Sequence, residues 1–172
     1  MKLEDIKSPV ASLPGVGPAA AKQFARLNVF TVADLLSLYP KSYDDRTKRV
    51  PLNQFHSQKV NTAALVRAHE WFGFGRMRTL KIIISDGTAE AALIAFNRPF
   101  LEKTLNVGAV IAVNGTFAVK YGQLQAAAFE AVRLSAQGTL AELAQAELPD
   151  ARVLAVYPLT EGLNQKNVRK TM

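Results

Sequence analysis

The stretch 59–134 constrains this chain more than any other, because it reads as strands throughout and is broken once, after the third, by a helical segment. KVNTAALVRAHEWF (59–72) and RTLKIIIS (78–85) flank the glycine-bearing GFG, which is a hairpin pattern. SDGT (85–88) is a second tight turn and leads into AEAALIAF (89–96), a third strand. Asn97 is suited to cap a helix and Pro99 to occupy its first turn, which predicts a helix over 98–105. VGAVIAVNGTFAV (107–119) then gives a fourth strand, KYGQ turns, and LQAAAFEAVRL (124–134) gives a long fifth. The order β-β-β-α-β-β is that of the OB-fold, a five-stranded barrel with a helix between its third and fourth strands. A small α+β sandwich shares much of this pattern, so the fold class expected is α+β, mainly β, with the OB barrel as its architecture.

Residues 1–50 read differently, as short helices and turns around LPGVGP (13–18). Pro18 sits where a first helical residue would, and Thr31 with Asp34 forms a cap signal before Leu35, Leu36 and Leu38. The polar KSYDDRTKRVP marks a boundary, with 51–58 as connector, 59–134 as the OB domain and 135–172 as a linker. Within that last stretch TLAELAQAEL is a short helix, RVLAVYP is extended, and a helix starts at Asn164.

Charge narrows the partner. The net charge is +7, and 59–134 carries nine Lys/Arg against five Asp/Glu, whereas 135–150 carries none against three. Such a surplus favours a polyanion. The absence of cysteine removes disulfides, thiolate metal sites and Cys nucleophiles. No apolar run approaches the roughly 18 residues of a membrane helix, so a soluble, cytoplasmic monomer without membrane contact is expected. Asp44-Asp45 beside Arg46 and Lys48 reads as a solvated loop, and His56 and His69 are isolated, so no metal site is assigned. Nothing matches the phosphate loop GxxxxGK[ST], and no cofactor is expected in this chain.

Aromatic and basic residues fall together at three places. EWFGFGRMR sets Trp71 and Phe74, with Phe72 between them, beside Arg76 and Arg78 on the first hairpin; bases stack on such rings while arginines follow phosphates. Strand alternation puts at least one of these rings in the barrel. Lys120 and Tyr121 occupy the strand 4–5 turn, which with the strand 1–2 loop is a usual binding edge of this fold. Gly15 and Gly17 could admit a phosphate to the following helix N-terminus, or simply start that helix. Finally, Phe96 and Phe100 bracket Asn97, Arg98 and Pro99. Leu101 and Leu105 form one stripe at i, i+4, and Phe100 lies roughly 100° away from it. On pattern alone, one ring in the core and both rings exposed are equally open.

Three ordered segments, SLPGVGPAAAKQFARLNVFTVADLLSLYPKSYDDR, SDGTAEAALIAFNRPFLEK and AVYPLTEGLNQKNVRK, resemble the N-terminal region of the RecG family of ATP-dependent DNA helicases. The resemblance runs from about Ser8 to Lys170. It implies a wedge domain that docks on branched DNA at stalled replication forks and Holliday junctions, with single-stranded arms beside it, in recombination and repair. It implies a helicase motor elsewhere in the protein, to which ATP and Mg2+ would belong. The family's Phe-Asn-x-x-aromatic segment, whose rings stack on bases at the branch, falls on Phe96 and Phe100. Two segments depart from the family pattern: AAAFEAV replaces a His-Pro-Glu-like stretch, and the first hairpin is more aromatic than arginine-rich. The competing readings are a generic single-stranded DNA or tRNA-binding OB protein and an OB domain used for protein contact. Whichever holds, the purified chain is expected to hydrolyse no ATP, with or without DNA. Phosphate release that follows the chain through purification and rises with added DNA would overturn this.

Overall fold

A computed structural model describes residues 3–54, 59–75, 78–149 and 151–172, without the side chains of residues 3 and 4. The chain divides into two compact units. One runs up to Asp44 and resumes at Val153; the other is Asp45–Arg152.

The first unit is small and mostly helical. Two 3-10 turns precede α1 (Pro18–Ala25), which starts on Pro18 with Gly17 as N-cap, and α2 (Val32–Leu36) follows. The Thr31 hydroxyl accepts from the Asp34 N–H, and Asp34 Oδ2 accepts from the Thr31 N–H at 2.8 Å, which closes a capping box. α1 ends at Ala25, and beyond it Asn28 turns left-handed at φ 59 and lets the Val29 N–H return to the Phe24 carbonyl. Phe24, Val29, Leu35, Leu163 and Val168 bury their side chains together. The charged connector holds a strand that its composition hides: β1 (Ser42–Asp45) pairs with β9 (Val153–Val156). Asp-rich and four residues long, β1 owes its form to its partner rather than to propensity. Of the stretch read as a linker, 153–172 belongs to this unit through β9 and α5 (Gln165–Thr171), the latter capped by Asn164 Oδ1 accepting from the Asn167 N–H at 2.8 Å.

The second unit carries the β order read from the sequence. β2 (Lys59–Phe72) pairs with β5 (Val110–Thr116) through its first half and with β3 (Thr79–Ser85) through its second. The register slips once, so that Arg67 is an extra residue between Val66 and Ala68, and this bulge bends the strand. β4 (Glu90–Phe96) pairs with β3, and α3 (Phe100–Thr104) follows it. A small helix, α4 (Leu140–Gln145), is capped by Thr139 and Glu142 and buries Leu143.

The expected five-stranded barrel needs one correction. The fourth and fifth strands each break, giving β6 (Ala118–Lys120), β7 (Gln123–Ala126) and β8 (Phe129–Ser135). The result is a seven-stranded sheet in the order β6-β7-β4-β3-β2-β5-β8, and hydrogen bonds do not close it into a barrel. β7 runs parallel to β4 near one end and β8 antiparallel to β5 at the other, with only Ala127 and Ala128 between them. The sheet therefore curls until covalent continuity, not a hydrogen-bond ladder, joins its ends. Gly115 permits the approach: a Cβ there would stand 3.0 Å from the Ala128 carbonyl oxygen and from Phe129 Cβ. Inside the curl lie Leu80, Ile82, Ile84, Leu93, Leu105, Ile111, Val113 and Phe117.

Asp86 fastens the β3–β4 turn to the segment before β2. Its carboxylate accepts from the Leu52 N–H at 2.7 Å and from the Thr88 N–H, the Thr88 hydroxyl and the Ala89 N–H. Burial alone would raise this carboxyl, but those four donors together hold it below the ordinary carboxylate value. A lowered native pKa stabilises the fold fully above the unfolded value of about 4, and that contribution is lost as pH falls through the native value. Asp86→Asn should thus cost about 1–2 kcal/mol at neutral pH, with solvent screening keeping it from the upper range for bonds to a charged acceptor. In urea titrations at a series of pH values the gap between native and variant should narrow on acidification. A gap that stays constant down to acid pH would refute the assignment.

Candidate nucleic-acid interface

Cross-strand register decides which rings face out. On β2 the alternation sends Trp71 toward the core cluster and Phe72 to the opposite face. Phe72 pairs with Thr79 on β3, and Thr79 pairs with Phe96 at the end of β4, which sets the two rings in one cross-strand row. The row beside it is Glu70, Lys81 and Ile94, where Lys81 Nζ lies 3.0 Å from Glu70 Oε2. These side chains, with Lys120, Tyr121 and Gln125, line an open groove of about 760 Å³ across the outer face of β2, β3, β4 and β7.

At the rim, Phe96 and Phe100 are each 61% exposed. Exposure of both rings resolves the alternative that the pattern left open, since Leu101 and Leu105 do fill the core below them. The cap is not where the sequence suggests. Asn97 turns left-handed at φ 53, α3 begins only at Phe100, and no side chain caps it. An Asn tolerates that backbone at a chain reversal, and the reversal is what separates the strand carrying Phe96 from the helix carrying Phe100.

The other candidates fall into four groups. Tyr121 is fully exposed at φ 51 on the β6–β7 turn, beside exposed Lys120, and both border the groove. Phe74 is 95% exposed in the β2–β3 loop, Arg78 places its guanidinium 4.6 Å over the Trp71 ring, and Arg76 lies outside the described residues, as does His56. Trp71 is half-buried and packs against the core, which makes it the hairpin ring that alternation turns inward. Arg98 rests 5.5 Å over Phe129. Gly15 and Gly17 belong to the first unit; Gly15 needs its φ of 84, and nothing lies within 4 Å of a Cβ built on either.

Lys81 was not singled out from the sequence, and Phe72 was named there only as one of three hairpin rings without a face. Counting register back from the β2–β3 turn would have paired Phe72 with the strand leading to Phe96, but the length of that loop cannot be read from its residues. His69, isolated in the sequence, places Nε2 2.8 Å from the Leu105 carbonyl oxygen. Among the described residues no His, Asp and Glu side chains gather in threes as metal ligands would, and no helix is long and apolar enough to cross a membrane.

The strand order, the curl and the aromatic rim define an OB-type β domain whose outer face and β6–β7 turn line one groove. The chain belongs to the RecG wedge domain family, whose model matches residues 9–172. It is 34% identical over 171 residues to the ATP-dependent DNA helicase RecG of Treponema pallidum, covering 98% of this chain and 23% of that protein. To the Thermotoga maritima protein of the same name it is 30% identical, covering 96% of this chain and 20% of that one. A solved structure of RecG bound to a three-way DNA junction superposes with a TM-score of 0.75 at 29% identity, over 97% of this chain and 22% of the other. The chain thus spans between a fifth and a quarter of the length of these relatives.

Exposed rings should be dispensable for folding. The double variant Phe96→Ala, Phe100→Ala should melt within a few degrees of the native chain, whereas Leu105→Ala, at a fully buried position, should lose about 2–5 kcal/mol. Thermal melts of both variants test this. A double variant as unstable as Leu105→Ala would place the rings in the core.

Proposed function

We propose that this chain is the branched-DNA-binding wedge of an ATP-dependent DNA helicase, acting at replication forks and Holliday junctions in recombination and repair. The observation that carries the reading is the exposed pair Phe96 and Phe100, at the strand exit of a RecG wedge-family domain. The relative whose solved structure holds a three-way junction supports the same class of partner.

In this reading the two rings stack on bases at the branch. Phe74, Arg76, Arg78, Arg98, Lys120 and Tyr121 hold the neighbouring strands, and Gly15 and Gly17 approach a phosphate. The groove beside Phe96 takes a single-stranded arm. The domain itself performs no bond chemistry. ATP and Mg2+ belong to the helicase motor of the full-length protein, in keeping with a sequence here that has no GxxxxGK[ST] phosphate loop. The protein acts in the cytoplasm, as a monomer, away from any membrane.

The test is competition binding among a three-way junction, duplex and single-stranded DNA at fixed salt. The junction should win, and Phe96→Ala with Phe100→Ala should weaken it about tenfold or more, since stacking is worth roughly 1–3 kcal/mol per base. Affinity should also fall steeply between about 50 and 200 mM salt as phosphate contacts release counterions. Equal affinity for single strands and junctions would favour a generic single-strand binder. Weak binding indifferent to both substitutions would favour a protein-contact domain.

A further inference from the structure

The two rings are mounted differently. Phe96 is the last residue of β4 and is held by the ladder through Thr79. Phe100 stands on α3, five residues long and uncapped by any side chain. A helix so short does not hold itself in water, so its direction depends on what it is tied to. Leu101 and Leu105 anchor it from below, and His69 meets the Leu105 carbonyl at its far end. A further tie comes from Trp71, whose indole Nε1–H donates to Glu102 Oε1 at 2.9 Å. Glu102 lies two residues beyond Phe100 on the same helix.

We propose that Trp71 is a positioning residue for Phe100: by holding Glu102 it fixes the rotation of α3 about its leucine anchors, and so the direction in which Phe100 meets DNA. The proposal rests on Phe96 and Phe100 being the stacking rings. Trp71 itself is poorly placed to stack on a base, because it packs against the core and the Arg78 guanidinium lies over its ring. Its N–H is already used by Glu102. The bond also accounts for Glu102, an exposed carboxylate beside a surface that should repel none of its polyanionic ligand.

A double-mutant cycle on junction affinity at fixed salt tests the idea in the full 172-residue chain. Trp71→Phe keeps an aromatic ring and loses the N–H. Alone it should weaken binding about three- to tenfold, the scale of a coupled contact, and it should cost nothing further once Phe100 is alanine. Additive losses would mean that Trp71 acts on DNA directly, and would overturn the proposal. A neutral Trp71→Phe beside a damaging Phe100→Ala overturns it too, while leaving the stacking rings intact. A neutral Phe100→Ala removes the stacking reading and this inference with it. A second pair keeps Trp71 native and decides the matter if Trp71→Phe does not fold. Removing the carboxylate should tighten DNA binding on charge alone, yet Glu102→Ala should weaken it, because the indole loses its acceptor. Glu102→Gln retains an acceptor oxygen and should bind as well as the native chain or better. Tighter binding by Glu102→Ala, or equal losses in both Glu102 variants, would overturn the assignment.

Discussion

The second unit is organised by the bend in β2. One strand of fourteen residues serves two neighbours, β5 along its first half and β3 along its second, and the bulge at Arg67 turns it from one to the other. The Val66 N–H donates to the Ala109 carbonyl and its own carbonyl accepts from the Gly108 N–H, so the bend is also stitched to the residues just before β5. Without that turn the sheet would lie open, and the two residues between β7 and β8 could not connect its ends. The bulge also sets parity. Side chains alternate along a strand, so removing the extra residue would exchange Trp71 and Phe72 between faces. The indole would then enter the groove, and the ring that completes the row with Phe96 would be turned inward.

Much of this was legible because the relevant signals are local. Period-two runs located β2, β3 and β4, the cap signal at Thr31 fixed the start of α2, and helices were placed from Thr139 and from Asn164 where α4 and α5 begin. Turn residues placed Tyr121 at a tip that the structure leaves wholly exposed. What escaped was set by long-range partners. β1 is a strand only because β9 lies beside it. The fifth strand broke at Ala127-Ala128 because its halves serve opposite ends of the sheet, which no window of AAAFEAV reveals. Asn97 looked like a cap because caps and left-handed turns favour the same short polar side chain, and only the needed reversal distinguishes them. Face assignment in the first hairpin depended on a register that sequence does not supply.

The cationic side chains near the site are more constrained than the net charge suggests. Lys81 is paired with Glu70, Arg78 lies over Trp71, and Arg98 lies over Phe129. Guanidinium groups held over rings keep their charge but give up much of their freedom to follow a moving phosphate. Under the proposed function, a surface built this way would distinguish ligands by shape more than by charge density. Charge would set how strongly any nucleic acid is drawn to it, and phosphate neutralisation by itself carries no information about a branch. Discrimination has to come from groups that reward unstacked bases, and those are the rings at the rim. Phe96 stands on the ladder and Phe100 on a short helix tied to the sheet through side chains, with a left-handed residue between them. A duplex end, whose bases are stacked and paired, offers nothing for two such rings to enter together. A branch, where stacking is already interrupted, pays less of the unstacking energy before contact is made, and on the proposed function this would be the physical basis for a preference.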